Sequence, residues 1–184
     1  MTAVAELNEQ LPIAEARQGD PDAWSRLFRR YQLPLYAYAF DLVRQEQASL
    51  DVVQETFISA ARHIGTLRDD ARFGSWLFGI AHQKCAQHWR KLRPAEPLPD
   101  ENSPDSLTDD ADPRDLLIRQ EQTAEFLRLV DQLPLPHRSV LLLHYLEEFP
   151  LDEIATITGT PVGTVKSRLH YAKRTLRKLI SNSP

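Results

Sequence analysis

Residues 160–179, TPVGTVKSRLHYAKRTLRKL, hold six cations and no acid: Lys166, Arg168, Lys173, Arg174, Arg177 and Lys178. The whole chain is acidic, with 22 Lys and Arg against 26 Asp and Glu and a formal net charge of -4. Cations gathered on one helix neutralise phosphates, and side chains near its N-terminal end can reach base edges in a major groove. A second cationic run, Arg90, Lys91 and Arg93, closes the aromatic-bearing stretch RFGSWLFGIAHQKCAQHWRKLR. Cations beside rings suit single-stranded nucleic acid, the charges holding the backbone and the rings stacking on bases. The same stretch contains His82, Cys85 and His88, all residue types that ligate zinc. At helical spacings of three and six they fan around the axis, and a structural zinc needs a fourth ligand that is not nearby. No metal and no cofactor is expected. A Gly-rich phosphate loop and a nucleophile–base pair are both missing, so the chain is read as a non-enzyme.

The elements that must position these residues are legible from periodicity. Val162, Val165, Leu169, Ala172, Leu176 and Leu179 recur in steps of three and four, one apolar stripe on a helix. Thr160 can cap it and Pro161 suits its first turn. Before it, LDEIATITG places Leu151, Ile154, Ala155 and Thr158 on one face of a short helix that Gly159 ends. A short helix, a glycine turn and a capped second helix make the helix-turn-helix pattern, whose second helix enters the major groove. LPLPHRSVLLLHYLEEF reads as a supporting helix through Val140, Leu141, Leu143, His144 and Leu146.

Three further helices are expected upstream, where residues 1–93 carry 11 of the 15 aromatics. The first has Trp24, Leu27, Phe28 and Tyr31 at helical spacing and a kink or break at Pro34. The second, LDVVQETFISAARHI, buries Leu50, Val53, Phe57, Ala60 or Ala61, and Ile64. The third packs Trp76, Leu77, Ile80 and Ala81 and ends in the cations at 90–93. Most of these aromatics should be core.

Between the two helical groups lies PAEPLPDENSPDSLTDDADPRD, residues 94–115, with eight acids, one Arg and five of the 13 prolines. Leu98 and Leu107 are its only large aliphatic residues, too few to offset the entropy of ordering. It reads as a flexible acidic linker between two small modules, 11–93 and 116–181. Its charge is complementary to the cations at 166–178, so linker and basic helix are expected to shield each other in the free protein. The fold class is therefore all-α, two helical domains on a tether. The single cysteine, Cys85, excludes an intrachain disulfide. The N-terminus lacks a basic segment followed by an apolar run, and no stretch approaches a membrane span, so a cytoplasmic protein with no membrane insertion is expected.

GDPDAWSRLFRRY, DVVQETF, SWLFGIAHQ and the run from LPLPHRSVLLL through GTVKSRLHYAKRTLRKL together resemble the bacterial extracytoplasmic-function sigma factors, with their regions 2 and 4. The resemblance implies a protein that binds core RNA polymerase and directs promoter-specific initiation, controlled by an anti-sigma factor. It places Asp51, Gln54 and Glu55, spaced i, i+3, i+4, on the polymerase-binding helix. Phe73, Trp76, Leu77, His82, Gln83, Gln87 and His88, with Arg90 and Lys91, fall on the surface that reads and opens the -10 element. Lys166, Ser167, His170 and Tyr171 fall on the -35 reading face, with Thr164 and Arg168 beside it and Lys173 and Arg174 following. The chain departs from the family pattern at Gly79, His82, Gln83, Gln87 and Tyr171, where charged residues or a shorter amide are usual. Promoter DNA, core polymerase and an anti-sigma factor are the implied partners.

Overall fold

The computed structural model describes residues 11–92 and 127–181. The acidic stretch 94–115 lies outside the described residues, as does Arg93. Every regular element among the described residues is helical. The first group comprises α1 (Ile13–Arg17), α2 (Pro21–Val43), α3 (Glu46–His63) and α4 (Phe73–Leu92), with 3-10 turns at Ile64–Thr66 and Asp70–Arg72 between the last two. The second comprises a helical turn at 127–130, then α5 (Leu135–Tyr145), α6 (Leu151–Thr158) and α7 (Val162–Ser181).

Local chemistry sets the boundaries. Asp20 caps α2, its carboxylate accepting from the Asp22 N–H at 2.9 Å, and Pro21 takes the first helical position, where a missing N–H costs nothing. Helix α2 ends where Arg44 enters the left-handed region at φ 57°. Pro34 does not break it: α2 runs unbroken for 23 residues. Helix α6 stops at Gly159, φ 64°, where the Thr160 N–H reaches Ala155 O at 3.0 Å and the Gly159 N–H reaches Thr156 O at 3.4 Å. This is a Schellman-type stop, and glycine takes its positive φ without a Cβ penalty. The Pro161 carbonyl then accepts from the Val165 N–H at 3.0 Å, opening α7. Thr160 turns its hydroxyl to that of Thr158, 2.9 Å away.

Helices α2, α3 and α4 pack on one another around Leu27, Leu35, Tyr38, Leu42, Val53, Phe73, Leu77 and Phe78. The stripe of α3 differs from the expected one. Ser49, Val52, Val53, Thr56 and Ala60 face inward, whereas Leu50 is 47% exposed and Phe57 is half-buried. Ser49 and Thr56 can be buried because their hydroxyls donate back to the Gln45 and Val52 carbonyls at 2.7 and 2.6 Å. In the second group, Val165, Leu169, Ala172 and Leu176 of α7 lie against α5 and α6, with Ile154 and Ile157 beneath. Helix α5 is enclosed from His137 to Leu143, so it shows no polar face; Leu146, past its end, is 40% exposed.

That enclosure arises because the two groups pack against each other. Helix α5 touches α2 as well as α6 and α7, and α6 lies along α4. The buried apolar residues form one continuous cluster across both groups. Arg138, buried on α5, donates to the carbonyls of Asp41 (3.4 Å), Leu133 (3.1 Å) and Asp131. Arg44 pairs with Asp41 at 3.1 Å and, through Nε, with Asp131 at 2.6 Å.

Candidate nucleic-acid interface

The outward side of α7 is built by the helical period. With Val165, Leu169, Ala172 and Leu176 turned inward, Lys166, His170, Arg174 and Lys178 follow at steps of four on the outer side, Lys166, Arg174 and Lys178 exposed and His170 half-buried. Ser167 lies beside Lys166, its hydroxyl donating to the Gly163 and Thr164 carbonyls at 3.2 and 3.0 Å. Its lone pairs stay available as acceptors. Thr164 is half-buried on the flank.

Three residues expected on or next to this face, Tyr171 on it and Arg168 and Lys173 flanking it, are turned elsewhere. Tyr171 stacks on His137 of α5, centroids 5.9 Å apart and planes at 11°, and meets His170 edge-on at 6.2 Å. Lys173 lies over the Tyr145 ring, 5.5 Å from its centroid. Arg168 is two residues from Lys166, hence 200° away around the helix, and acts on His82 of α4. Tyr171 and Lys173 therefore fix the pose of α7 on its supporting helix.

On α4 the expected set divides. Phe73 and Leu77 are fully buried, so they belong to the core and cannot meet nucleic acid in this arrangement. Phe73 supports instead: Tyr31 meets it edge-on at 5.5 Å, and half-exposed Trp76 leans on it at 5.8 Å. Trp76, Gln83, Gln87 and Arg90 then recur at seven, four and three residues, one outward line with Lys91 beside it. Gln83, Gln87, Arg90 and Lys91 are exposed, so ring, amides and cations share that line. His82 is half-buried, its Nδ1 2.8 Å from the Tyr38 hydroxyl. Burial first, then the Arg168 guanidinium, holds its pKa down at about 4, so it is neutral near pH 7. His88 is half-buried, and its Nε2 has no hydrogen-bond partner. His82, Cys85 and His88 do not converge, and no group of three or more metal-ligating side chains occurs among the described residues. Burial raises the Cys85 thiol to about 12, so it is held as the neutral thiol.

A third surface lies on α3. Asp51, Gln54 and Glu55 are all exposed. Gln47 donates to Asp51 at 3.1 Å, and Glu55 pairs with Lys84 of α4 at 3.1 Å. Leu50 and Ile58, 47% and 44% exposed, stand on the same side, and Phe28 of α2, 41% exposed, packs on Phe57 at 4.9 Å beside it. Sequence reasoning missed this apolar component. Its signal was present: Leu50, Gln54 and Ile58 share the four-residue step with Asp51 and Glu55 between them. Among the described residues no helix is long and apolar enough to cross a membrane.

Residues 27–94 match the family model for Sigma-70 region 2, and residues 123–176 that for Sigma-70, region 4. The RNA polymerase sigma-H factor of Pseudomonas aeruginosa is 31% identical over 183 residues, 95% of this chain and 94% of that one. The ECF RNA polymerase sigma factor SigW of Bacillus subtilis is 30% identical over 90% of this chain and 93% of its own. Among solved structures, the sigma factor RpoE in complex with the anti-sigma factor NepR from Bartonella quintana has the same fold, TM-score 0.63 at 20% identity, over 87% of this chain and 98% of that one. The chain is an ECF sigma factor of the sigma-70 family, built from regions 2 and 4.

Proposed function

We propose that this sigma factor docks on core RNA polymerase through the outward side of α3 and reads promoter DNA with α7 and α4. On this reading, residues 11–93 form the module that binds polymerase and the -10 element, 116–181 the module that binds the -35 element, and 94–115 the acidic connection. The observation that carries it is the outward row Lys166, His170, Arg174 and Lys178 on the second helix of a helix-turn-helix, with no acid among residues 160–179. Such a row neutralises phosphates while Lys166 and Ser167, near the N-terminal end, reach base edges. On α4, Trp76 offers a stacking surface, Gln83 and Gln87 offer amides to base edges, and Arg90 and Lys91 hold the backbone of an opened strand. On α3, Asp51, Gln54 and Glu55 give a negative patch for a basic partner, and Leu50 and Ile58 add apolar contact.

The protein thus works by binding, without catalytic chemistry of its own, in the cytoplasm where the polymerase acts. The solved relative's complex with an anti-sigma factor supports placing this chain under a partner of that kind. Reconstitution with core polymerase and run-off transcription test the reading. D51K combined with E55K should impair holoenzyme assembly. K166A should leave assembly intact but weaken promoter binding by ~1–3 kcal/mol and flatten its salt dependence by about one ion. Unchanged promoter affinity and salt slope for K166A would remove α7 from the DNA.

A further inference from the structure

Helix α1 belongs to none of the three surfaces, yet it is firmly seated. Ile13 and Ala16 are buried, and the Trp24 indole of α2 donates to Ala16 O at 3.0 Å. The turn into α2 is closed at Gly19, φ 84°, where the Gly19 N–H donates to Ala16 O and the Asp20 N–H to Glu15 O, both at 3.1 Å. From this seat Arg17 crosses to the segment between α3 and α4. Its guanidinium donates to both Asp70 carboxylate oxygens, at 2.5 and 3.1 Å, and to Leu67 O at 2.9 Å. Those acceptors stand on the run-in to α4. Leu67 closes the first 3-10 turn, Asp70 opens the second, and Phe73 follows as the first residue of α4. The run-in is otherwise lightly held. Of residues 64–72 only Ile64 and Leu67 are buried, and Arg72 adds longer ion pairs, to Asp152 at 3.6 Å and Asp69 at 3.8 Å. Just beyond it, Phe73 carries the Trp76 ring at 5.8 Å. Tyr31 of α2 meets Phe73 edge-on, and its hydroxyl lies 3.3 Å from where a Cβ on Gly74 would stand.

We propose that Arg17 is a positioning residue for the -10 contact: by holding the run-in at Leu67 and Asp70 it sets where α4 begins, and so where Trp76 stands against an opened strand. That role rests on the assignment of α4 to the opened strand; the grip of Arg17 on the run-in does not. Arg17 itself touches no nucleic acid and acts through the run-in and Phe73. A planar guanidinium suits the task, because its fork fixes a carboxylate and a carbonyl together, which the point charge of a lysine does not. With the two side chains 31% and 50% exposed, the Arg17–Asp70 pair adds little to folding stability. Its effect is geometric, since a ring that stacks on a base has to be held in place before the base arrives.

The test uses holoenzyme assembled from the full chain and core polymerase. Two probes are cut from a promoter that the wild type transcribes in run-off assays: a fork junction with an unpaired -10 strand, and an upstream duplex that ends before it. W76A should weaken fork-junction binding about tenfold, the effect of one base stacked on a ring. R17A, which leaves the ring present but loosely placed, should weaken it about fivefold. R17A/W76A should bind no worse than W76A alone, because Arg17 acts through the ring. In R17A, affinity for core polymerase, binding of the upstream duplex and the urea midpoint should stay at wild-type values. A merely structural role would lower the midpoint and weaken both probes alike. Fork-junction binding by R17A equal to wild type, an equal loss on both probes, or losses that multiply in the double variant overturn the proposal. W76A without effect on the fork junction would instead overturn the assignment of α4 to the opened strand.

Discussion

Replacing Glu147 with Gln should stabilise the protein by about 2–3 kcal/mol near pH 8 and leave its stability unchanged near pH 4.5. Glu147 follows α5 and is half-buried where the two halves meet. Burial, and secondarily the Asp41 carboxylate, raises it from 4.5 to about 7. Asp41 is itself raised, by burial first and by Asp131, against the opposing pull of Arg44 and Arg138. The buried Tyr38 hydroxyl is raised too, by burial, Cys85 and Glu147. A carboxyl whose pKa is higher in the folded state binds more protons when folded. Its contribution is therefore fully present below 4.5 and is lost as pH rises through about 7. At roughly 1.4 kcal/mol per pH unit that displacement comes to about 3 kcal/mol, trimmed to about 2–3 because Glu147 keeps some contact with water. His82 works in the opposite sense, falling from 6.5 to about 4, so its contribution is lost as pH drops from 6.5 through about 4. The two slopes oppose each other between about pH 4.5 and 6.5. In E147Q the His82 slope should stand uncovered, with stability falling on acidification. Urea unfolding followed by circular dichroism at several pH values measures this, provided the m-values agree. A difference between E147Q and wild type that does not vary with pH, or an E147Q protein less stable near pH 8, would refute the assignment.

Asp20→Ala should cost about 1 kcal/mol by leaving the Asp22 N–H without its cap, while Asp20→Ser should cost only a few tenths; equal losses for both would mean the cap contributes nothing. Cys85 should resist a thiol reagent near pH 8 in the native protein and react at once in denaturant, because its thiol is enclosed and raised to about 12. Fast native labelling would show that the core around Tyr38 and Cys85 opens readily.

Some of the site could be read without coordinates because it depends on the period of one helix. The α7 stripe at Val165, Leu169, Ala172 and Leu176 forces Lys166, His170 and Arg174 outward whatever the stripe packs against. Gly159 was legible because only a left-handed residue stops a helix that tightly. Asp51, Gln54 and Glu55, which the resemblance put on the polymerase-binding helix, are exposed on α3. Leu50 and Phe73 were misplaced because apolarity marks what can be buried and leaves open which stripe the neighbours cover. On α3, back-bonded Ser49 and Thr56 face the core in place of Leu50.

By itself the sequence determined an all-helical chain, a helix-turn-helix at its C-terminal end and a cationic outer row on the last helix, since propensity, caps and a 3.6-residue period act within one element. The tertiary structure alone decided the buried Arg138, the neutral His82, the raised Glu147 and the turning of Arg168, Tyr171 and Lys173 away from the outer row. Each depends on helices far apart in the chain meeting, α4 with α6 and α2 with α5. Burial, charge proximity and ring stacking depend on distances in space, and no spacing along a single helix encodes those.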